Sequence, residues 1–90
     1  MIKLVVTDSY LRRAKKFFKK HPNLIKQYEK TLKLLVSNPS HPSLRLHAIE
    51  SKNLHSISIN MSYRVLLSLR IKEDGTIILI DIGNHDDVYG

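Results

Sequence analysis

An α+β fold is expected of this chain, with an N-terminal strand, a two-helix antiparallel hairpin, and a mainly antiparallel sheet of four to five strands carrying that hairpin on one face. Three observations predict it. Apolar residues recur at helical spacing between residues 8 and 37, the period falls to two from Ser43 onward, and prolines interrupt the pattern at Pro22 and Pro39.

The elements follow in order. Ile2-Lys3-Leu4-Val5-Val6 reads as a short β-branched strand, and Thr7-Asp8-Ser9 supplies oxygens that can cap a helix beginning near Asp8 or Ser9. Tyr10, Leu11, Ala14, Phe17 and Phe18 form one apolar stripe, while Arg12, Arg13, Lys15, Lys16, Lys19 and Lys20 occupy the remaining surface. His21-Pro22 ends this helix, because proline lacks an N–H and crowds the preceding turn, yet suits the first turn of the next. The second helix carries Leu24, Ile25, Tyr28, Leu32, Leu35 and Val36 to about Ser37, and Asn38-Pro39 closes it. Strands are expected over Leu44 to Ile49, Leu54 to Asn60, Tyr63 to Ile71 and Thr76 to Ile82, with a hairpin turn at Lys72-Glu73-Asp74-Gly75. Val65, Leu67, Leu69 and Ile71 alternate with Arg64, Ser68 and Arg70, and only Leu66 interrupts the polar side. One sheet face should therefore be apolar and the other open.

Ninety residues make a single domain, 1–90, with a small core. With no cysteine there is neither a disulfide framework nor a thiolate nucleophile, which fits a cytoplasmic location. No apolar run approaches the roughly 20 residues of a membrane span, so no membrane partner is expected. Fifteen Lys and Arg against eight Asp and Glu give +7, unevenly placed: residues 1–39 hold ten basic and two acidic side chains, residues 40–90 five and six. A positive lobe of this kind attracts polyanions without choosing among them.

Few residues are candidates for chemistry. Arg64 opens a strand on its polar side, where a planar, permanently charged fork suits a phosphate or a carboxylate, although a solvated strand arginine fits the same pattern. Of five histidines, His21 and His41 lie beside prolines and read as caps or surface groups, whereas His47 in a strand and His85 after the last strand are better placed as proton carriers. Histidine and cysteine spacings typical of metal sites are missing, as are a Gly-x-Ser-x-Gly elbow and a glycine-rich phosphate loop, so neither a metal nor any other cofactor is expected. Asp86 and Asp87 are expected to form a turn. Chemistry without a metal or a protein nucleophile has one sound option in RNA. The 2′-hydroxyl attacks the neighbouring phosphate when a base takes its proton, a cation neutralises the phosphorane and an acid protonates the leaving oxygen.

Three segments in order, Asn38-Pro39-Ser40-His41-Pro42-Ser43-Leu44-Arg45-Leu46-His47, Ser56-Ile57-Ser58-Ile59-Asn60-Met61-Ser62-Tyr63-Arg64 and Ile82-Gly83-Asn84-His85-Asp86-Asp87-Val88-Tyr89, resemble the RelE/ParE toxin superfamily, and within it the YafQ-like branch. The resemblance spans nearly the whole chain. It implies the RelE-like microbial RNase fold and the toxin of a type II toxin–antitoxin pair: a ribosome-dependent mRNA endoribonuclease whose partners are the ribosome, mRNA and a small acidic antitoxin. It also implies catalytic roles for four residues. His47 and His85 would move protons, Arg64 would stabilise charge on the scissile phosphate, and Tyr89 would orient the nucleotide. Arg12, Arg13, Lys15, Lys16, Lys19, Lys20, Arg45, Tyr63 and Arg70 are the accompanying RNA-binding candidates. Where YafQ-like toxins carry a further histidine and an aspartate, this chain aligns Ser58 and Ser62. Two alternatives therefore stay open, a ParE-like binder that poisons DNA gyrase and a member that binds antitoxin but has lost catalysis.

Overall fold

A computed structural model describes the backbone of residues 2–89 and the side chains of residues 2–88. The elements are β1 (Lys3–Val6), α1 (Asp8–Lys20), α2 (Ile25–Ser37), β2 (His47–Ile49), β3 (Leu54–Ser58), β4 (Tyr63–Arg70), a one-turn α3 (Ile71–Asp74), β5 (Thr76–Asn84) and a short α4 (His85–Tyr89).

Thr7 converts strand to helix. Its Oγ1 accepts the Tyr10 N–H at 3.0 Å, supplying one of the bonds that the first turn cannot make internally. Asp8 in the first turn and Lys19 and Lys20 in the last complement the helix dipole. A single 3-10 turn, Pro22–Leu24, links α1 to α2, and the helices meet through long side chains. Phe18 packs on Tyr28 with ring centroids 4.7 Å apart, and the Tyr10 and Tyr28 hydroxyls share a hydrogen bond of 2.6 Å. Burial, reinforced by the neighbouring phenol and by Asp81, pushes the Tyr10 hydroxyl far above its ordinary pKa, and burial raises Tyr28 as well.

The five strands form one sheet in the order β1-β5-β4-β3-β2. β1 runs parallel to β5, and the other pairings are antiparallel. Tyr10, Ala14 and Leu35 from the helices meet Ile57, Val65, Leu67, Ile77, Leu79 and Ile82 from the sheet, and Ile59 just after β3, in the main core. Each aliphatic side chain fully withdrawn from water there contributes about 1.5–3 kcal/mol. Between β4 and β5 the register shifts: Leu67 faces Leu79 but Leu66 faces Asp81, leaving Ile80 as the extra residue of a bulge. Asp81 beside it pairs with Arg13 of α1 at 3.1 Å and ties the first helix to the sheet.

Several expectations are corrected. The strand expected from Leu44 begins only at His47, because Pro42–Leu44 forms a 3-10 turn capped by the His41 ring, which accepts the Ser43 N–H, and Arg45 then takes a left-handed conformation (φ 49°). That geometry sends Leu44 into the core. β3 stops at Ser58 because the Asn60 side chain accepts the N–H groups of Ser62 and Tyr63 and makes the turn itself. The β4–β5 connection is helical, ending at Gly75 with φ 75°. Most importantly, the second sheet face is not fully open. Val88 of α4 joins Ile49 and Leu66 in a second buried cluster, with Leu54 and Ile80 packed beside it. Leu66, which breaks the polar alternation of β4, lies under that short helix.

Candidate active site

Arg64 stands opposite Gly83 in β5 and Ser58 in β3, on the face away from α1 and α2. Its side chain lies across β3. Nε donates to the Ser56 Oγ at 2.9 Å, and Nη2 donates to the Arg45 carbonyl at 2.7 Å and to the Ser56 carbonyl at 3.3 Å. Ser56 has no exposed surface, whereas Arg64 is half-buried, so a permanently charged group is anchored from below with part of its fork toward solvent. The left-handed turn at Arg45 is what aims that carbonyl inward. Neither Ser56 nor the Arg45 carbonyl was foreseen; parity marks Ser56 only as one of several alternating polar positions.

His85 is placed by a reciprocal cap at the start of α4. The Asn84 Oδ1 accepts the Asp87 N–H at 2.9 Å, and the Asp87 Oδ2 accepts the Asn84 N–H at 3.1 Å. Asp86 and Asp87, expected to form a turn, lie instead in the first turn of the helix α4. Gly83 makes this possible through close approach: a Cβ there would fall 2.6 Å from the Asp87 Oδ2 and 2.7 Å from its Cβ. His47, the first residue of β2, is exposed and stands opposite Ser56 in the register.

These placements converge. His47, Ala48, Arg64 and His85 line one hollow of about 320 Å³ on the outer sheet face. Three of the four residues expected to carry catalysis are thus neighbours, although 17 and 21 positions separate them along the chain. The side chain of the fourth, Tyr89, lies outside the described residues.

The RNA-binding candidates divide. Arg12, Lys15 and Lys19 are exposed along α1, while Arg13, Lys16 and Lys20 border a second cleft of about 470 Å³ between α1 and the ends of β4 and β5. Tyr63 belongs to that cleft, because it precedes Arg64 in the strand and faces the other way. Arg45 is exposed beside the hollow, and its carbonyl has the clearer role. Arg70, at the far end of β4, pairs with Asp74 at 3.7 Å and lines neither space. Ser58 donates to the Asn60 carbonyl at 2.5 Å and Ser62 sits in the exposed turn, so neither lines the hollow. Among the described residues no group of three His, Asp or Glu side chains is arranged to hold a metal ion.

No family model matches the sequence, and no curated protein matches it. Solved structures match its architecture. YafQ from E. coli aligns with a TM-score of 0.78 and 13% identity, covering 100% of both chains. A metal-bound toxin from Helicobacter pylori gives 0.80 and 16%, covering 98% of this chain and 99% of that chain. The chain has the RelE-like toxin fold. The YoeB–YefM toxin–antitoxin complex from Staphylococcus aureus shares the RelE-like architecture at TM-score 0.70 and 16% identity, over 94% of this chain and 98% of that one. Among the described residues no helix is long and apolar enough to cross a membrane.

Proposed function

We propose that the protein is the toxin of a toxin–antitoxin pair and acts as a metal-independent endoribonuclease on mRNA at the ribosome. The observation that carries this reading is the shared hollow of His47, Arg64 and His85. One imidazole removes the proton from the substrate 2′-hydroxyl, whose oxygen attacks the adjacent phosphorus. Arg64 neutralises the charge that accumulates on the phosphorane, and the second imidazole protonates the departing 5′ oxygen. The products are a 2′,3′-cyclic phosphate and a 5′-hydroxyl, and each transferred proton has a donor and an acceptor. Tyr89, one turn after His85 in α4, is assigned to orienting the nucleotide.

The positive face of α1 supplies sequence-independent, salt-sensitive affinity for ribosomal RNA phosphates. A small acidic antitoxin is the expected partner in a reducing cytoplasm. The resemblance in sequence to the RelE/ParE superfamily and the match in fold to a YoeB–YefM complex support that assignment.

The test adds purified protein to translating ribosomes and maps mRNA ends by primer extension. Cuts at fixed codon positions, lost in Arg64→Ala and His85→Ala, are expected. Intact mRNA together with gyrase-dependent DNA breaks would replace this reading by the gyrase-poison alternative.

A further inference from the structure

The cleft between α1 and the ends of β4 and β5 takes no part in the chemistry above, yet it is the larger of the two spaces, at about 470 Å³ against 320 Å³. One wall is aromatic. Tyr63 meets Phe17 edge-on, with centroids 5.1 Å apart and planes at 78°, and the His21 ring lies 4.7 Å from Tyr63. Phe17 and His21 are themselves 4.6 Å apart, so three rings from α1, its C-terminal cap and β4 hold one another in place. Tyr63 and His21 keep part of their surface exposed.

The rim is cationic. Arg13 is already neutralised by Asp81, and the Asp87 carboxylate is committed to the Asn84 N–H. Among the described residues Lys16 and Lys20, one helical turn apart on the lip of the cleft, are in no salt bridge. Flat aromatic surface beside two available ammonium groups fits a ligand that is planar at one end and anionic at the other. An acidic peptide would engage the lysines and leave the rings unused.

We propose that this cleft binds one nucleotide of single-stranded RNA, with its base on the Tyr63–His21 wall and its phosphate on Lys16 and Lys20. The proposal rests on the ribonuclease reading and extends it. Tyr63 and Arg64 are consecutive, as are Asn84 and His85, so each strand end delivers one residue to this cleft and the next to the catalytic hollow. An RNA strand bending around that end of the sheet reaches both sites.

The test uses a fluorescent RNA oligonucleotide carrying 2′-O-methyl groups throughout, which cannot be cut and so reports binding alone. Tyr63→Leu, which keeps apolar volume against Phe17, should weaken binding roughly 10-fold by anisotropy. Lys16→Gln with Lys20→Gln should lower the slope of log affinity against log salt by about 0.7 per lysine. The same charge loss on α2, Lys26→Gln with Lys33→Gln, should change the slope less. The His21 ring resonances should shift on adding the oligonucleotide.

Unmoved His21 signals, or an α1 double variant no different from the α2 double variant, overturn the proposal. So does an abasic 2′-O-methyl chain binding as tightly as the intact one, a comparison that does not require Tyr63→Leu to fold. A poly-glutamate peptide that shifts His21 and competes equally well overturns it in favour of a protein-binding cleft. If the oligonucleotide binds here but ribosomal mRNA stays uncut, the ribonuclease reading fails alone. If mRNA is cut while the cleft variants bind normally, only the cleft assignment fails.

Discussion

The Nε of Arg64 donates to the Oγ of Ser56 over 2.9 Å, and that serine has no surface of its own in contact with solvent. The charge at the centre of the hollow is therefore fixed in direction by a residue no substrate can touch. Hydrogen bonds to charged groups are worth about 1.5–3 kcal/mol, more than neutral ones.

Ser56→Ala should accordingly leave the fold standing and reduce mRNA cutting by about 10- to 100-fold, because the guanidinium loses its alignment with the phosphate. The loss should fall on kcat more than on KM in single-turnover and steady-state assays. Undiminished cutting would show that the backbone carbonyls of Arg45 and Ser56 orient the fork without the serine hydroxyl.

Gly83→Ala addresses the other side of the hollow. The added methyl meets the Asp87 carboxylate and must push α4 away from β5, moving His85 with it. Activity should fall by at least about 10-fold, with thermal stability lower by about 1 kcal/mol, the scale of a lost helix cap. Asp87→Ala, which adds no methyl but removes half of the cap, should show the same activity loss. Full activity in Gly83→Ala would mean that α4 does not fix His85.

The buried Tyr10–Tyr28 pair predicts alkaline sensitivity. Both folded-state pKa values are raised, so the fold holds these protons more tightly than the unfolded chain does. Their contribution is intact below the ordinary phenol pKa of about 10 and is lost as pH rises beyond it, by up to about 1.4 kcal/mol per pH unit for each proton involved. Urea midpoints should hold steady up to about pH 9 and then drop, and Tyr10→Phe should flatten the decline. An identical decline in that variant would point to other groups.

The helices and the succession of strands along the chain were legible in the sequence because Pro22, Pro39 and Gly75 punctuate periodic segments, whereas the parallel pairing of β1 with β5 was not. The convergence of His47, Arg64 and His85 was legible only through resemblance, since alternation places Arg64 on a face but cannot say what lies across it. Two things were hidden by simple parity. Counting from Ile77 and Leu79 sends Asp81 inward and Ile82 outward; the extra residue Ile80 resets that phase and leaves Ile82 in the core. Likewise nothing in the alternation shows that Val88 buries Leu66 and half-closes a face that the polar residues of β4 advertise as open. Tyr63, an RNA-binding candidate through the resemblance, lies away from the hollow of Arg64, because consecutive strand residues occupy opposite faces.

β2 has only three residues and pairs with a single neighbour, β3. Segments so lightly anchored fray at a small fraction of the free energy needed to unfold the whole molecule. His47 rides on that strand, while Arg64 and His85 are moored to the sheet interior and to a capped helix. Warming should therefore silence cutting several degrees before the helical circular-dichroism signal gives way, and amide exchange should show β2 as the first strand to open: heat disarms this molecule before it melts it.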